Sequence, residues 1–209
     1  ARAAMGRRSA PRRNKPAAEK ASQLRIIGGE WRGRRVSFTP VPGLRPTPDR
    51  VRETLFNWLQ PYIAGAHCLD LFSGSGALGL EALSRGAETV TFIDQEPSVV
   101  RQLRNNLQLL KCNKAEVVQD SVLNWLEKRS AGQEQQYDII FMDPPFHKDL
   151  AAPCCELLER QGLLAAEAVI YVETESELRD SIAPTHWHPH RQKEAGQVRY
   201  QLFIREDQS

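Results

Sequence analysis

The sequence predicts an α/β protein: a doubly wound, mainly parallel sheet closed by an antiparallel hairpin, with a small basic β-hairpin ahead of it. Three observations lead there. From residue 67 onward, strand-like runs alternate with amphipathic segments of helical period. An acid stands at or just inside the end of each of the first four runs; Asp70, Asp94, Asp120 and Asp143 are 24, 26 and 23 residues apart, about one strand plus one returning helix each. The chain finishes on "HPHRQKEAGQVRYQLFIRE" (188–206), which reads as a hairpin turning near Gly196.

From the N-terminus, the first feature is charge. Residues 1–35 hold eleven Lys or Arg against two acids, Glu19 and Glu30, a balance of +9; the other 174 residues carry −7, for a whole-chain charge of +2. One end is built to meet a polyanion. Residues 1–22, dominated by Pro, Ala, Lys and Arg, read as a disordered basic tail. Residues 23–45 form a basic extension in which "LRIIGGEWRGRRVSF" (24–38) makes two short strands with glycine turns. Arg25, Arg32, Arg34 and Arg35 suit phosphates and Trp31 suits stacking on a base, although the same ring would also serve to pack the hairpin onto its neighbour. Residues 46–209 form the main domain. In "RPTPDRVRETLFNWL" (45–59), Thr47 is placed to cap a helix with Pro48 at its first position, and Val51, Leu55, Phe56 and Leu59 form its apolar stripe. Arg45 and Arg50 extend the basic surface beside the hairpin.

The strands then follow as "HCLDLF", "TVTFID", "AEVVQD", "YDIIFMD" and "AVIYVE". Between the second and third, "PSVVRQLRNNLQLLK" (97–111) carries Val99, Leu103, Leu107 and Leu110 on one face. Crossover connections bring all four aspartates to the carboxyl edge of the sheet, where open α/β folds bind ligands. "ESELRDS" (175–181) reads as a solvated helix face. His186, His188 and His190 are interrupted by Pro189 with no cysteine nearby, so a strand edge is expected there and no metal.

Composition excludes several classes. At 41% hydrophobic and 26% charged residues this is an ordinary soluble globular chain, expected to be monomeric. No apolar run approaches the roughly 20 residues of a membrane helix, and the first residues lack the apolar core of a secretion signal. Cys68, Cys112, Cys154 and Cys155 form no C-x-x-C pair and read as reduced thiols, which points to the cytoplasm.

"LDLFSGSGALGLEAL" (69–83) contains Gly74, Gly76 and Gly79 in the G-x-G-x-x-G spacing of a dinucleotide loop. Such a loop offers backbone N–H groups to a pyrophosphate, but Asp70, four residues before Gly74, would repel one. S-adenosylmethionine has no phosphate and carries an ammonium, a sulfonium and one carboxylate. Asp70 can accept from the ammonium, Asp94 can take both ribose hydroxyls, and Asp120 with Ser121 can hold the adenine amino group. Phe72, Gly74 and Gly76 complete the expected cofactor site. The fourth strand ends in Asp143-Pro144-Pro145-Phe146. The prolines stiffen the chain and present carbonyls without N–H groups. Asp143 and the Pro144 carbonyl can accept both hydrogens of an amino group on a planar base, on which Phe146 can stack.

These segments resemble the class I, Rossmann-like methyltransferases: "LDLFSGSGALGLEAL" their first motif, "FIDQE" the second, "VVQDS" the third and "DPPF" the fourth motif of enzymes that methylate exocyclic amines. "RIIGGEWRGRR", "LRPTPDRVRETLFNWL" and "AGQVRY" are similar to the RsmD family of bacterial ribosomal RNA guanine methyltransferases, a likeness that covers roughly residues 24–205. It implies methyl transfer from S-adenosylmethionine, leaving S-adenosylhomocysteine, to the 2-amino nitrogen of one guanine in small-subunit (16S) ribosomal RNA, during or after subunit assembly. It further implies that Asp70, Gly74, Gly76, Asp94 and Asp120 bind the donor while Asp143 to Phe146 hold the base. Two alternatives stay open on the residues: a DNA adenine amino-methyltransferase, against which stands the lack of a separate target-recognition segment, and a nicotinamide-dependent oxidoreductase.

Overall fold

The computed structural model describes residues 22–42, 46–130, 132 and 135–207. Nearly all of the basic tail, and Arg45, lie outside them. The short strands β1 (Gln23–Arg25) and β2 (Arg35–Ser37) pair antiparallel, with Leu24 opposite Val36. Helix α1 (Asp49–Ile63) follows, then β3 (His67–Leu71), α2 (Ala77–Ser84), β4 (Thr89–Asp94), α3 (Pro97–Leu109) and β5 (Ala115–Gln119). The chain continues through α4 (Val122–Glu127), β6 (Tyr137–Met142), α5 (Ala151–Arg160), β7 (Leu164–Glu175), β8 (Trp187–Ala195) and β9 (Val198–Arg205).

Strands β3 to β9 form one seven-stranded sheet in the order β5-β4-β3-β6-β7-β9-β8. β3, β4, β5, β6 and β7 pair parallel; β9 pairs antiparallel with β7 and β8, closing the sheet with the expected hairpin around Gly196. Strand order reverses between β3 and β6, which opens a crevice above their carboxyl ends.

Alternation along the strands sorts the core into two layers. Cys68, Val90, Phe92, Ile139, Phe141, Val169 and Tyr171 point to the face covered by α1, α2, α3 and the small hairpin. Leu69, Leu71, Ile93, Ile140, Met142, Ile170 and Val172 point to the face covered by α4 and α5. On α1, Leu55, Phe56 and Leu59 are almost fully buried, each contributing about 1.5–3 kcal/mol. The Phe56 ring meets Phe141 of β6 at 5.9 Å between centroids.

The N-terminal hairpin is clamped to α2 by polar groups. Glu81, with no exposed surface, accepts from the backbone N–H groups of Ile27 (2.9 Å) and Gly28 (3.4 Å). Ser84 Oγ donates to the Gly28 carbonyl (2.6 Å) and accepts from Trp31 N–H (2.9 Å). Buried Arg52 of α1 reaches the Arg25 carbonyl (2.9 Å), the Asp49 carboxylate and, at 3.8 Å, Glu81. The hairpin, α1 and α2 therefore share one buried ionic knot.

Two local expectations fail. Thr47 makes no side-chain cap to α1, whose N-cap is Pro48; its hydroxyl donates instead to Glu173 on β7 at 2.8 Å. That buried acceptor outcompetes a solvent-exposed helix end. Residues 175–181 form the end of β7 and a turn, not a helix, because β7 runs on through Glu175 and Leu178 N–H closes back onto the Glu175 carbonyl.

Candidate active site

At the end of β3 the chain turns abruptly. Phe72 is held at φ 59°, a left-handed conformation that costs a non-glycine residue roughly 1 kcal/mol or more and is found where function over-determines the backbone. Gly76 (φ 77°) is the N-cap of α2. At Gly79 a Cβ would stand 2.3 Å from the Phe92 ring and 2.9 Å from Asp70 Oδ2, so only glycine lets α2 lie this close to the sheet. Asp70 is buried, and its Oδ2 accepts from Gly79 N–H at 3.1 Å. Burial raises its carboxyl well above the usual range, the Gly79 N–H opposes this, and the Asp94 and Glu173 carboxylates add to it.

Asp94 ends β4 and faces the same loop. Its Oδ2 accepts from Gly74 N–H and its Oδ1 from Glu96 N–H, both at 2.9 Å. The carboxylate thus pins the glycine loop to the start of the next connection, keeping lone pairs for a further donor.

β6 delivers Asp143 beside the crevice. Its register with β7 (Met142 opposite Val172) makes Glu173 the lateral neighbour of Asp143. Glu173 Oε1 also accepts from Tyr171 OH (2.7 Å) and Thr47 Oγ1 (2.8 Å). Burial, followed by Glu173 and then Asp70, drives the Asp143 carboxyl well above its usual range. Burial also raises Glu173, against the hydroxyl bonds that favour its ionised form. Pro144 is buried, Phe146 is half-buried, and His147 (φ 60°) and Asp149 (φ 51°) bend the chain away immediately afterwards.

The structure therefore brings Asp70, Asp94 and Asp143 together on one face of the sheet, two residues beyond Cys68, Phe92 and Phe141. Asp120 adjoins them, its backbone N–H donating to the Asp94 carbonyl at 3.1 Å, while its side chain bonds to residues of α4 and its end. Its Oδ1 accepts from Asn124 Nδ2 (2.8 Å), Lys128 lies 3.6 Å from its Oδ2, and these bonds, Asn124 foremost, lower its pKa. Ser121 caps α4 by accepting from Asn124 N–H at 3.2 Å. Glu173 is the acid that sequence reasoning missed. It closes the run "AVIYVE" as the four aspartates close theirs, so the same pattern extended one strand further would have found it.

On the basic side, Arg32, Arg34, Arg35 and Arg50 are exposed, and Arg25 is half exposed with Asp49 at 3.5 Å. Trp31 departs from its expected stacking role. Its ring is 8% exposed and belongs to the core under the hairpin, so its apolar area is already spent on docking. A cleft of about 290 Å³ runs between hairpin and α1, lined by Arg25, Arg35, Pro46, Thr47, Asp49 and Arg52 among others. Thr47 joins that cleft to Glu173. His188 and His190 are exposed on β8, the edge strand, with His188 2.9 Å from Glu206, and His186 just before it sits 2.8 Å from Glu159.

The sequence from 24 to 204 matches the model of a single family, described as Conserved hypothetical protein 95. The chain belongs to that family. It is 50% identical over 194 residues to the Ribosomal RNA small subunit methyltransferase D of Escherichia coli (strain K12), covering 93% of this chain and 96% of the relative. The protein of the same name in Haemophilus influenzae is 47% identical, over 87% of this chain and 93% of its own. The solved structure of yhhF from Escherichia coli superposes with a TM-score of 0.80 at 52% identity, covering 90% of this chain and all of that one. The family span takes in the hairpin, the switch point and every site residue described above.

Proposed function

We propose that this chain transfers the methyl group of S-adenosylmethionine to the exocyclic 2-amino nitrogen of a specific guanine in small-subunit ribosomal RNA, acting in the cytoplasm on an assembled or assembling subunit. Methylation of ribosomal RNA follows from membership of a family whose relatives at 47–50% identity carry that name. The choice of amine rests on one observation: Asp143, Pro144, Pro145 and Phe146 stand together at the end of β6, facing the glycine loop across the switch point.

The residues fit the donor. Two carboxyls, Asp70 and Asp94, bond the loop where a pyrophosphate would lie, while Asp94 remains an acceptor for hydroxyls and Asp70 offers a second oxygen beside its bond to Gly79. When bound there, S-adenosylmethionine supplies an electrophilic methyl group. The protein does the rest by placement. Asp143 and the Pro144 carbonyl accept from the two amino hydrogens, drawing the nitrogen lone pair out of conjugation with the ring. Phe146 holds the plane of the base, and orientation of this kind provides much of the rate. Arg32, Arg34, Arg35, Arg25 and Arg50, exposed on the hairpin and α1, offer positive charge to the phosphates of the RNA.

The test is transfer of labelled methyl from the donor to unmodified small subunits, with the modified nucleotide mapped. Asp143→Ala is expected to abolish transfer while donor affinity stays within a few fold; Asp143→Asn keeps an acceptor oxygen and retains part of the activity. Wild-type turnover by the alanine variant would remove Asp143 from the reaction, and a modified adenine in duplex DNA would replace the substrate.

A further inference from the structure

Glu173 lies outside every motif that marks the site, yet it is wired into it from three elements. It is the lateral neighbour of Asp143 across β6 and β7, and it faces Tyr200 of β9 on its other side. Its Oε1 takes hydroxyl hydrogens from Tyr171 (2.7 Å) and from Thr47 (2.8 Å), 126 residues away in sequence. Its side chain is 6% exposed. A glutamate placed only to hold the sheet would be poorly chosen, because a buried carboxyl and its half-buried neighbour repel unless one proton lies between them.

We propose that Glu173 is a positioning residue for methyl transfer: it holds one proton jointly with Asp143, takes that proton when the target amine binds, and frees Asp143 as the acceptor. This rests on the reading of Asp143 as the group that meets the amine. Before substrate arrives, the pair carries one proton and one negative charge, shared between the two carboxyls. When the base enters, the proton crosses to Glu173, and the Asp143 carboxylate accepts from the amino N–H. The amine lone pair then forms the new nitrogen–carbon bond, and the electrons of the broken carbon–sulfur bond stay on sulfur. The nitrogen, now cationic, gives one proton to Asp143. The pair briefly holds two protons and is neutral; one leaves to water as product departs, restoring the starting state. Bonds, charge and protons balance without another reactant.

The groups facing the pair set its titration. Asp70 from β3 disfavours ionisation of Asp143, Tyr171 and Thr47 steady the Glu173 carboxylate, and the Tyr200 phenol is raised by burial and then by Glu173 and Asp143. A pair sharing one proton titrates in two macroscopic steps. Transfer falls on the acid side, when both carboxyls are protonated and Asp143 cannot accept. It falls again on the alkaline side, when both ionise and push apart.

The experiment compares wild type with Glu173→Gln, whose amide keeps the size of the side chain and an oxygen for Thr47 and Tyr171. Single-turnover methylation of small subunits is measured against pH, and infrared difference spectra of free protein are recorded for the carbonyl stretch of a protonated carboxylic acid. Wild type should show a bell-shaped profile and the acid band; in Asp143→Asn and Glu173→Gln the band should vanish at lower pH than in wild type. Glu173→Gln should also lose the alkaline limb and slow transfer at least about tenfold, at the low edge of what general acid–base groups contribute. A structural role would lower the melting temperature and leave the limb in place. If Glu173→Gln fails to fold, Tyr171→Phe and Thr47→Val serve: each removes a donor to the Glu173 carboxylate and should move the limbs to higher pH. An alkaline limb that survives in Glu173→Gln, or unmoved limbs in both donor variants, overturns the proposal. Loss of activity in Asp143→Ala alongside either result would leave the amine reading standing and remove Glu173 alone.

Discussion

Replacing Asp94 by Asn tests how one carboxylate serves both loop and ligand. In the wild type, Gly74 N–H and Glu96 N–H each use one of its oxygens at 2.9 Å. The amide of Asn keeps one oxygen and turns an NH2 group against the other N–H, setting donor against donor. An unsatisfied buried donor costs about 1–3 kcal/mol, and partial exposure of Asp94 lets water recover some of it, so the stability loss should be about 1–2 kcal/mol. In a protein of this size each 1 kcal/mol appears as roughly 2–4 °C of melting temperature. Affinity carries a second loss. One ribose hydroxyl forfeits a bond to a charged acceptor, about 1.5–3 kcal/mol, which is about 10- to 150-fold in Kd. Titration calorimetry with S-adenosylhomocysteine avoids turnover, and thermal melts without ligand measure the loop on its own. Asp120→Asn is the internal comparison: its carboxylate is already committed to Asn124 and Lys128, so the affinity change should be no more than about fivefold. A lowered melting temperature with Kd unchanged to within about twofold would show that Asp94 only braces the loop, and the ribose assignment would fall.

Three further outcomes follow. Reversing Arg32, Arg34 and Arg35 to Glu should weaken subunit binding strongly and leave donor binding alone; if three phosphates go unneutralised, at roughly 0.7 each, the log–log salt slope should flatten by about 2, and an unchanged slope would move the RNA surface to Arg50 and its helix. Glu81→Ala leaves Arg52 with Asp49 alone and frees the buried Ile27 and Gly28 N–H groups, so about 2–4 kcal/mol should be lost and the melting temperature should drop on the order of 10 °C; a change below a degree would refute the ionic knot. The folded-state carboxyl of Asp143 is raised above its unfolded value, so its contribution to stability is full below about pH 4 and is lost as pH rises through the folded value. Asp143→Asn lacks that loss: its melting temperature should match wild type in acid and exceed it increasingly toward alkaline pH, and a constant gap across pH would contradict the raised carboxyl.

Much of this protein is written locally. Period-two and helical patterns name the strands and α3, and the 24-, 26- and 23-residue spacing puts Asp70, Asp94, Asp120 and Asp143 at one edge because each crossover returns the chain parallel. The glycine spacing and "DPPF" are legible for the same reason, since a tight turn and a stiff strand end are made by neighbouring residues. Tertiary packing decided what depends on distant partners. Trp31 reads equally well as a base-stacking ring or a core ring, and only the seating of the hairpin on α2 buries it. Thr47 has the chemistry of a helix cap, yet its hydroxyl goes to an acceptor 126 residues away. Asp120 shares the strand-end position of the others, its N–H bonded to the Asp94 carbonyl, but its carboxylate bonds to Asn124 and Lys128. Glu173 becomes part of the site only when β7 settles beside β6 in the register that sets it against Asp143. Side-chain partners across a sheet are set by register and by which helix covers which face. Both are fixed by the sum of many apolar interactions, and a short stretch of sequence carries no local trace of that sum.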